Sequence, residues 1–281
     1  MPQIPPGSVP FFITSPPYWN LKDYGGVQGQ IGQESYPAYL DRLNQVWEEC
    51  FRLAATESIL VVNVNSRRAA KRFYPIAFDI AAKMKTWELW DVLIWYIPNA
   101  LPQPNHYMNR LFDDKFEYLL VFKKGHPDKH TFHKPRVPQK YATADPRAHK
   151  KNADGRCIGN VIRIPAYRPP NVKALGYHVA AFPEELVAIL LETYTNEGDS
   201  VLDPFLGSGT TLKVARHMNR LGIGYELNES YRPLIEARIK EAWAVPDWRD
   251  LDIIHSTRFE TGMEKPRKIH FHRNNGTLFE E

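Results

Sequence analysis

A strand, a glycine-rich turn and a helix follow one another late in the chain, and this run most restricts the possible folds. Ser200–Leu202 is a short apolar strand candidate, Asp203–Thr211 is the turn, and Leu212–Leu221 has the apolar spacing of a helix. In this arrangement backbone N–H groups and a helix N-terminus can receive an anionic group at the carboxyl end of a strand. The run therefore predicts an α/β fold with a ligand site at the turn.

The turn differs from the two common phosphate-binding motifs. A P-loop needs a lysine directly after its last glycine, but Lys213 lies one turn too late. The dinucleotide motif needs a third glycine where Leu212 stands. The next strand candidate, Gly222–Tyr225, ends in Glu226, and an acidic residue there commonly binds ribose hydroxyls. The stretch predicts a nucleoside site with a small anionic arm and no polyphosphate.

A second stretch, near the start of the chain, combines two prolines with two aromatic residues. Val9–Ile13 is predicted to be a short buried strand, and Ser15–Trp19 lies at its carboxyl end. The prolines fix φ and remove two N–H donors, so the loop is stiff and its carbonyl groups can accept hydrogen bonds. Such a loop suits a planar group that carries an exocyclic amino group. A proline-rich turn with aromatic packing is the structural alternative.

Together the two stretches resemble the amino-methyltransferases of DNA, which use S-adenosyl-L-methionine. The Ser-Pro-Pro-Tyr of Ser15–Tyr18 is similar to the catalytic motif of this family, and Asp203–Thr211 is similar to its cofactor motif. The catalytic motif comes first, which is the order of the beta class. The resemblance covers most of the chain and fades after about Ala244.

The resemblance implies a set of site residues. The catalytic residues would be Ser15, Pro16, Pro17 and Tyr18. The segment that begins at His178 resembles the sequence segment that, in members of this family, flanks the methionine end of the cofactor. The cofactor-binding residues would be Asp203, Pro204, Phe205, Gly207, Ser208, Gly209, Thr210, Thr211, Glu226, His178, Phe182 and Pro183, of which Asp203 and the turn would hold the methionine end.

The implied reaction is direct transfer of a methyl group to the exocyclic amino nitrogen of a base flipped out of double-stranded DNA. The Ser15 hydroxyl and the Pro16 carbonyl would accept the amino hydrogens, and Tyr18 would stack on the base. Ser15 together with Trp19 is most similar to the cytosine-N4 enzymes, and adenine N6 is the alternative target. A non-catalytic nucleic-acid-binding protein and a methyltransferase for RNA or small molecules are further alternatives.

The two cysteines limit the chemistry and the compartment. A cytosine-C5 enzyme needs a cysteine that follows a proline, and neither Cys50 nor Cys157 does. Two cysteines form no disulfide framework and fit a reducing cytoplasm. The start of the chain lacks the pattern of a signal peptide, and no run is long enough to span a membrane. A metal site is not expected, because the histidines lack paired cysteines and a regular spacing.

Residues 126–177 form the most basic segment, with eleven basic and three acidic residues and hence a net charge of +8. Basic residues supply phosphate contacts to DNA, and the beta class has its target-recognition region between the two motifs. A basic insertion without fixed structure is the alternative. The predicted DNA-binding residues are Lys134, Arg136, Lys140, Arg147, Lys150, Lys151, Arg156, Arg163 and Arg168.

The expected architecture is an α/β fold with a mostly parallel seven-stranded sheet of the S-adenosylmethionine-dependent, Rossmann-like type and helices on both faces. Residues 1–125 and 178–260 would form the catalytic domain, 126–177 the small target-recognition insert, and 261–281 a tail. The resemblance also implies a cognate restriction endonuclease as a partner. It leaves open whether the protein is a monomer or a homodimer.

Periodicity also predicts individual elements. Asn20–Gln33 is a glycine-rich loop expected to close over the site. The four basic residues between 67 and 72 are placed in a loop or a first helical turn, where phosphate contact and a solvated face are both open. The predicted helices are Tyr36–Ala55, Tyr74–Lys85 and Tyr231–Trp243, the predicted strands are Ser58–Val64, Trp87–Trp95 and Phe116–Phe122, and Lys123–Gly125 is a predicted turn.

Overall fold

The structure, a computed structural model, describes residues 1, 3–20, 27–100, 110–126, 128–137, 155–166, 182–242 and 247–250. The strands are β1 (Val9–Thr14), β2 (Ala54–Val64), β3 (Arg67–Ala69), β4 (Arg72–Tyr74), β5 (Glu88–Tyr96), β6 (Phe116–Lys124), β7 (Arg136–Val137), β8 (Arg156–Cys157), β9 (Val161–Arg163), β10 (Ser200–Asp203) and β11 (Leu221–Gly224). The α-helices are α1 (Tyr36–Leu53), α2 (Ile76–Lys83), α3 (Glu184–Tyr194), α4 (Thr210–His217) and α5 (Arg232–Lys240), and Glu229–Tyr231 and Trp248–Asp250 are 3-10 turns.

The main sheet has seven strands in the order β11-β10-β1-β2-β6-β5-β9. Strand β6 runs antiparallel to β2 and β5, and the other neighbouring pairs are parallel. The predicted α/β class and mostly parallel seven-stranded sheet are therefore confirmed. Because β1 lies between β10 and β2 and is parallel to both, the loops that follow these three strands meet at one edge of the sheet.

Helices cover both faces of the sheet, as expected. Side chains of a strand alternate between the two faces, so Phe11 and Phe12 enter different cores. Phe12 packs in a cluster with Trp47 of α1, whereas Phe11 belongs to the cluster that contains Leu186 of α3 and Val214 of α4. The apolar faces of the helices thus fix β1 at the centre of the molecule.

The basic stretch after β2 is a β-hairpin, so its prediction as a loop or helical turn was wrong. Arg67 pairs with Tyr74 and Ala69 with Arg72. The intervening residues, Ala70 and Lys71, have φ values of 47° and 64°. Positive φ at both central residues is what a tight two-residue hairpin turn requires, and neither residue carries the usual Gly or Asn signal.

The predicted turn at Lys123–Gly125 was also wrong in part, because β6 continues through Lys124. Lys123 pairs with Ile59 on one side and with Glu88 on the other, and it makes an ion pair with Glu88. The chain turns only at Gly125, whose φ of 86° and crowded surroundings suit glycine alone.

Part of the basic segment belongs to the main sheet rather than to a separate insert. Strand β9 pairs in parallel with the edge of β5, and Ile162 and Ile164 lie in the main core. Strands β7 and β8 form a small antiparallel ribbon beside it. Residues 138–154 and the segment 167–181 lie outside the described residues. No helix within the described ranges is long and apolar enough to cross a membrane.

Candidate active site

The two motifs meet at one cavity, at the edge where β1 and β10 end. Its volume is about 320 Å³, in the range of sites that take small molecules. All four predicted catalytic residues line it, and so do most of the predicted turn residues. The lining residues from the two motifs are Ser15, Pro16, Pro17 and Tyr18 on one side and Pro204, Phe205, Gly207, Ser208 and Thr210 on the other.

The catalytic loop is connected to the strands beneath it by a small hydrogen-bond network. The Tyr18 hydroxyl donates to Glu117 Oε2 at 2.7 Å, and Asn63 Nδ2 donates to the same oxygen at 2.8 Å. Asn63 Nδ2 also lies 3.5 Å from the Ser15 hydroxyl oxygen. Burial raises the pKa of Glu117, and the bonds from Tyr18 and Asn63 lower it in part. The carboxylate on β6 thereby orients two members of the site.

The backbone carbonyls of this loop differ in their hydrogen-bond partners. The Pro17 carbonyl accepts a hydrogen bond from the Tyr39 hydroxyl at 2.9 Å, which holds the loop to α1. Trp19 Nε1 donates to the Glu34 carbonyl at 2.8 Å. Within the part of the chain that the structure describes, no group donates to the Pro16 carbonyl. That oxygen is the acceptor the amino-group hypothesis requires.

Asp203, which the sequence places at the methionine end of the cofactor, lies below the cavity and does not line it. Its side chain is 1% exposed. The carboxylate accepts hydrogen bonds from the hydroxyls of Thr14 and Thr211, each at 2.7 Å, and from the Phe205 N–H at 3.0 Å. Burial raises the pKa of Asp203 to about 6. Its geometry is that of a residue that ties β1 to the cofactor turn.

The cofactor turn is shaped by glycine and supported from below. Gly209 begins α4 with a φ of 86°, and a Cβ there would lie 3.2 Å from Ile235. Arg238 of α5 donates to the Ser208 hydroxyl at 2.7 Å and to Glu184 at 2.7 Å. Gly209 and Thr211 therefore act beneath the surface of the cavity, where they fix the turn.

Glu226 lies in the wall of the cavity, just after β11. Its two carboxylate oxygens accept the backbone N–H groups of Gly207, at 2.9 Å, and Asn228, at 2.8 Å. Burial raises its pKa, and the backbone hydrogen bonds lower it in part. The carboxylate is thus held in one orientation, and it keeps acceptor capacity for a hydroxyl. Tyr225 and Tyr231 add aromatic walls beside it.

The segment just before α3 contributes one residue to the lining of the cavity. Phe182 is 8% exposed and lines the cavity, whereas Pro183 is the buried residue that caps α3 and has no place in the lining. His178 lies outside the described residues.

The glycine-rich loop expected to close over the site borders the cavity in its described part. Val27, Gly29, Gln30 and Ile31 line it. Arg42 of α1 donates to the carbonyl oxygens of Gly29 and Gln30, which holds this side of the loop against the helix. Residues 21–26 lie outside the described ranges.

The predicted DNA-binding residues are described only in part. Lys134 and Arg163 are exposed, and Arg163 stacks over the Tyr96 ring at 6.0 Å. Arg136 donates to the Gly155 carbonyl, which closes the small ribbon. For Arg156 only the backbone is described, and the residues outside the described ranges are Lys140, Arg147, Lys150, Lys151 and Arg168.

Sequence reasoning missed three residues that support the site: Asn63, Glu117 and Arg238. Each is a polar side chain in an otherwise apolar strand or on the inner face of a helix. A polar residue at a position where the periodicity predicts an apolar one was the sequence feature that could have identified them. The described residues contain no group of three His, Cys, Asp or Glu side chains arranged to hold a metal ion.

The comparisons with known proteins agree with this geometry. Type II methyltransferase M.XycI of Xanthomonas campestris pv. cyanopsidis is 29% identical over 270 residues, covering 85% of this chain and 83% of that protein. M.HpaI of Haemophilus parainfluenzae is 30% identical over 234 residues, 83% of this chain and 68% of that protein.

Solved structures show the same architecture. The Thermus thermophilus protein TTHA0409, complexed with S-adenosyl-L-methionine, superposes with a TM-score of 0.57 at 27% identity, covering 84% of this chain and 87% of that one. The cytosine-N4-specific PvuII methyltransferase has a TM-score of 0.64 at 21% identity, with 90% and 86% covered, and shares the fold. The family model described as DNA methylase, for N6 and N4 enzymes, matches residues 9–237, and the chain therefore belongs to this family of amino-methyltransferases, with the beta-class order of motifs.

Proposed function

We propose that this DNA methylase transfers a methyl group to the exocyclic N4 nitrogen of a cytosine flipped out of double-stranded DNA. The observation that carries the proposal is that Ser15–Tyr18 and the cofactor turn line one cavity. Acceptors for an amino group thus face the place where the methyl donor binds. The choice of cytosine rests on Ser15 at the first position of the catalytic motif and on Trp19 after it.

S-adenosyl-L-methionine is the methyl donor, and when bound it supplies an electrophilic methyl group. The residues present fit its parts. Glu226 is fixed at the end of β11, where its oxygens can accept ribose hydroxyls. Phe182, Phe205 and Tyr225 offer apolar and aromatic walls for an adenine ring. We propose that the turn Gly207–Thr210 holds the methionine end, with Asp203 acting through Thr211 and the turn backbone rather than by direct contact.

The protein's own contribution is to make a poor nucleophile react. The lone pair of a base amino group is delocalised into the ring, and acceptors for its hydrogens pull the nitrogen toward tetrahedral geometry. Ser15 Oγ and the Pro16 carbonyl, whose residues both line the cavity, would accept those hydrogens and stabilise the developing positive charge. Tyr18, held by Glu117, would stack on the base, since flipping costs a few kcal/mol that the pocket must offset.

No covalent intermediate is needed for this reaction. Neither Cys50 nor Cys157 lines the cavity, and burial raises the pKa of the Cys50 thiol, which keeps it protonated in the core of α1. The sulfur nucleophile that transfer to a ring carbon demands is thus missing from the described part of the site.

The test is mass spectrometry of nucleosides from plasmid DNA incubated with the protein and S-adenosyl-L-methionine. We expect N4-methylcytosine, and about tenfold to a thousandfold less of it when the Ser15→Ala variant replaces the wild type at equal short times. N6-methyladenine would overturn the choice of base and keep the cofactor and loop assignments. Absence of any methylated base with the wild type would overturn the proposed reaction.

We also propose that residues 126–177 recognise the target sequence, and that the protein protects host DNA in the cytoplasm from a cognate restriction endonuclease. The Type II name of the relatives supports such a partner, although the relative M.BamHII of Bacillus amyloliquefaciens is described as an orphan methyltransferase. Loss of this protein should leave host DNA open to cleavage if the nuclease exists. Survival of uncut DNA without it would show an orphan enzyme.

A further inference from the structure

The hairpin of β3 and β4 is a compact basic projection beside the catalytic loop. Residues 66–74 contain four basic and no acidic side chains. The hairpin follows the carboxyl end of β2, and the catalytic loop follows the carboxyl end of β1, its parallel neighbour. Both therefore lie at the edge of the sheet that carries the cavity.

One side of the hairpin is fastened to the catalytic loop. Arg67 Nη1 donates to the Trp19 carbonyl, and Trp19 packs against Tyr74 with ring centroids 4.5 Å apart. Tyr36 of α1 completes this aromatic contact, at 4.9 Å from Tyr74 and 5.1 Å from Trp19. The position of the hairpin is thus set relative to Ser15 and its neighbours.

The remaining cations of the hairpin are exposed, and they have no acidic partner within the described part of the chain. Arg68, Lys71 and Arg72 are exposed, and none of the ion pairs between described residues includes them. Arg68 lies over the Phe73 ring at 5.0 Å and Arg72 over the Tyr74 ring at 5.4 Å. Stacking on a ring holds a guanidinium in place and leaves its N–H groups available to an anion.

The tip of the hairpin is strained. Ala70 and Lys71 both have positive φ, a conformation that glycine adopts far more easily. Such strain is characteristic of segments with a function, since the surrounding structure must maintain it. Here the strained turn holds a lysine at the outermost point of the basic surface.

We propose that this hairpin binds the DNA backbone, with Arg68, Lys71 and Arg72 contacting phosphates next to the flipped nucleotide. The inference rests on the proposed function, because it takes duplex DNA as the partner. Exposed guanidinium and ammonium groups without acidic neighbours are the groups that contact phosphates. Through Arg67 and the Trp19–Tyr74 contact, the hairpin fixes the distance between the bound backbone and the pocket.

The experiment compares two triple variants with the same loss of charge. Arg68→Ala/Lys71→Ala/Arg72→Ala removes the hairpin cations. Its control, Arg52→Ala/Lys85→Ala/Arg216→Ala, removes three exposed cations at the opposite edge of the sheet. Arg52 and Lys85 lie beside the amino ends of β2 and β5, and Arg216 lies in the last turn of α4, just before the amino end of β11. Fluorescence anisotropy with a short mixed-sequence duplex gives Kd over a series of salt concentrations.

The hairpin triple should bind the duplex about tenfold to a hundredfold more weakly, and the slope of log Kd against log salt should fall by about 2 to 3. The control triple should change Kd and the slope little. Affinity for S-adenosyl-L-methionine and kcat at saturating plasmid should stay near wild type in both, because neither triple touches the cavity.

Equal salt slopes for the two triples would overturn the hairpin proposal, even while the wild type methylates plasmid DNA. If instead the wild type methylates no DNA, the proposed function fails first, and the two failures are thereby distinguished. Lys71→Gly provides a second variant that relieves the strain at this turn. It should fold at least as well as the wild type and still lower the salt slope by about 1, and an unchanged slope would contradict the proposal.

Discussion

The proposed reaction depends on two single atoms of the catalytic loop, the Ser15 hydroxyl oxygen and the Pro16 carbonyl oxygen. The hydroxyl lies at the cavity with Asn63 Nδ2 at 3.5 Å, and the carbonyl of Pro16 is open. Ser15→Ala should lower turnover by about tenfold to a thousandfold, because one acceptor in the transition state is lost. Calorimetry should show unchanged affinity for S-adenosyl-L-methionine.

Ser8→Ala, an exposed serine before the opposite end of β1, is the matched control and should keep full turnover. Wild-type turnover in Ser15→Ala would remove the role assigned to the hydroxyl.

Glu117 acts through other residues, as a positioning residue. Its Oε2 is the shared acceptor for Tyr18 and Asn63. Glu117→Ala should lower kcat by about tenfold while KM for the cofactor holds. Glu117→Gln, which keeps an acceptor oxygen, should restore most of kcat. In a double-mutant cycle the effects of Glu117→Ala and Tyr18→Phe should be less than additive, since both variants remove the bond between Tyr18 and Glu117. Additive losses would mean that Glu117 supports the site in another way.

The residues of the two motifs could be predicted from sequence because each motif is local, with its chemistry within nine consecutive positions. Asn63 and Glu117 could not, because their place in the site depends on β6 lying antiparallel beside β2, which pairs Asn63 with Leu119. Periodicity predicts which residues form a strand and gives no information about strand order. The burial of Asp203 could not be predicted for a related reason, since it follows from the pairing of β1 with β10.

At the scale of elements, the cofactor turn depends on three helices joined by buried charges. Glu184 of α3 accepts from Arg238 of α5 at 2.7 Å and from Lys213 of α4 at 3.0 Å, and all three side chains are at most 6% exposed. Arg238 also reaches Ser208 in the turn. Packing of α3, α4 and α5 and the shape of the cavity are therefore coupled.

Arg238→Met should lower the free energy of unfolding by about 3 to 5 kcal/mol, because it breaks a buried ion pair, and should also weaken cofactor affinity through Ser208. Arg232→Met on the same helix is the control. Arg232 pairs with Glu236 in solvent, and its loss should change the free energy of unfolding far less. Urea unfolding and calorimetry measure both effects. Similar losses in the two variants would show that burial of the pair is unimportant.

Most elements could be predicted within a few residues, because their apolar spacing is strong. The predicted helix Tyr36–Ala55 is α1, Tyr36–Leu53, and the predicted strand Phe116–Phe122 lies within β6. The hairpin could not be predicted, because its turn, Ala70 and Lys71, has no turn-forming residue type. Strand β9 is only three residues long and owes its place to pairing with β5, which is a tertiary effect.

At the scale of the whole molecule, stability should depend on pH through Asp203. Its pKa is raised from 3.8 to about 6, so folding favours the protonated carboxyl. The contribution of Asp203 to the free energy of unfolding is therefore largest below pH 3.8. It falls as the pH rises through about 6 and no longer changes at higher pH. A shift of this size corresponds to about 2 to 3 kcal/mol.

The measurement is urea unfolding of the wild type and Asp203→Asn at several pH values from 4 to 7, a window set by the raised pKa. The difference in free energy of unfolding, wild type minus variant, should decline across the window. A difference that stays constant with pH would place the titration of Asp203 outside this range.

The central position of β1 also has a consequence for synthesis on the ribosome. Thr14 and Asp203 bond directly although 189 positions separate them, so β1 emerges long before the strand that completes its other side. A nascent chain can assemble β1 with β2, β6 and β5, but it must hold one edge of β1 unpaired until β10 follows. Methylation therefore begins only after the late strands are translated, and slow elongation in the second half of the gene would extend the time during which that edge can aggregate.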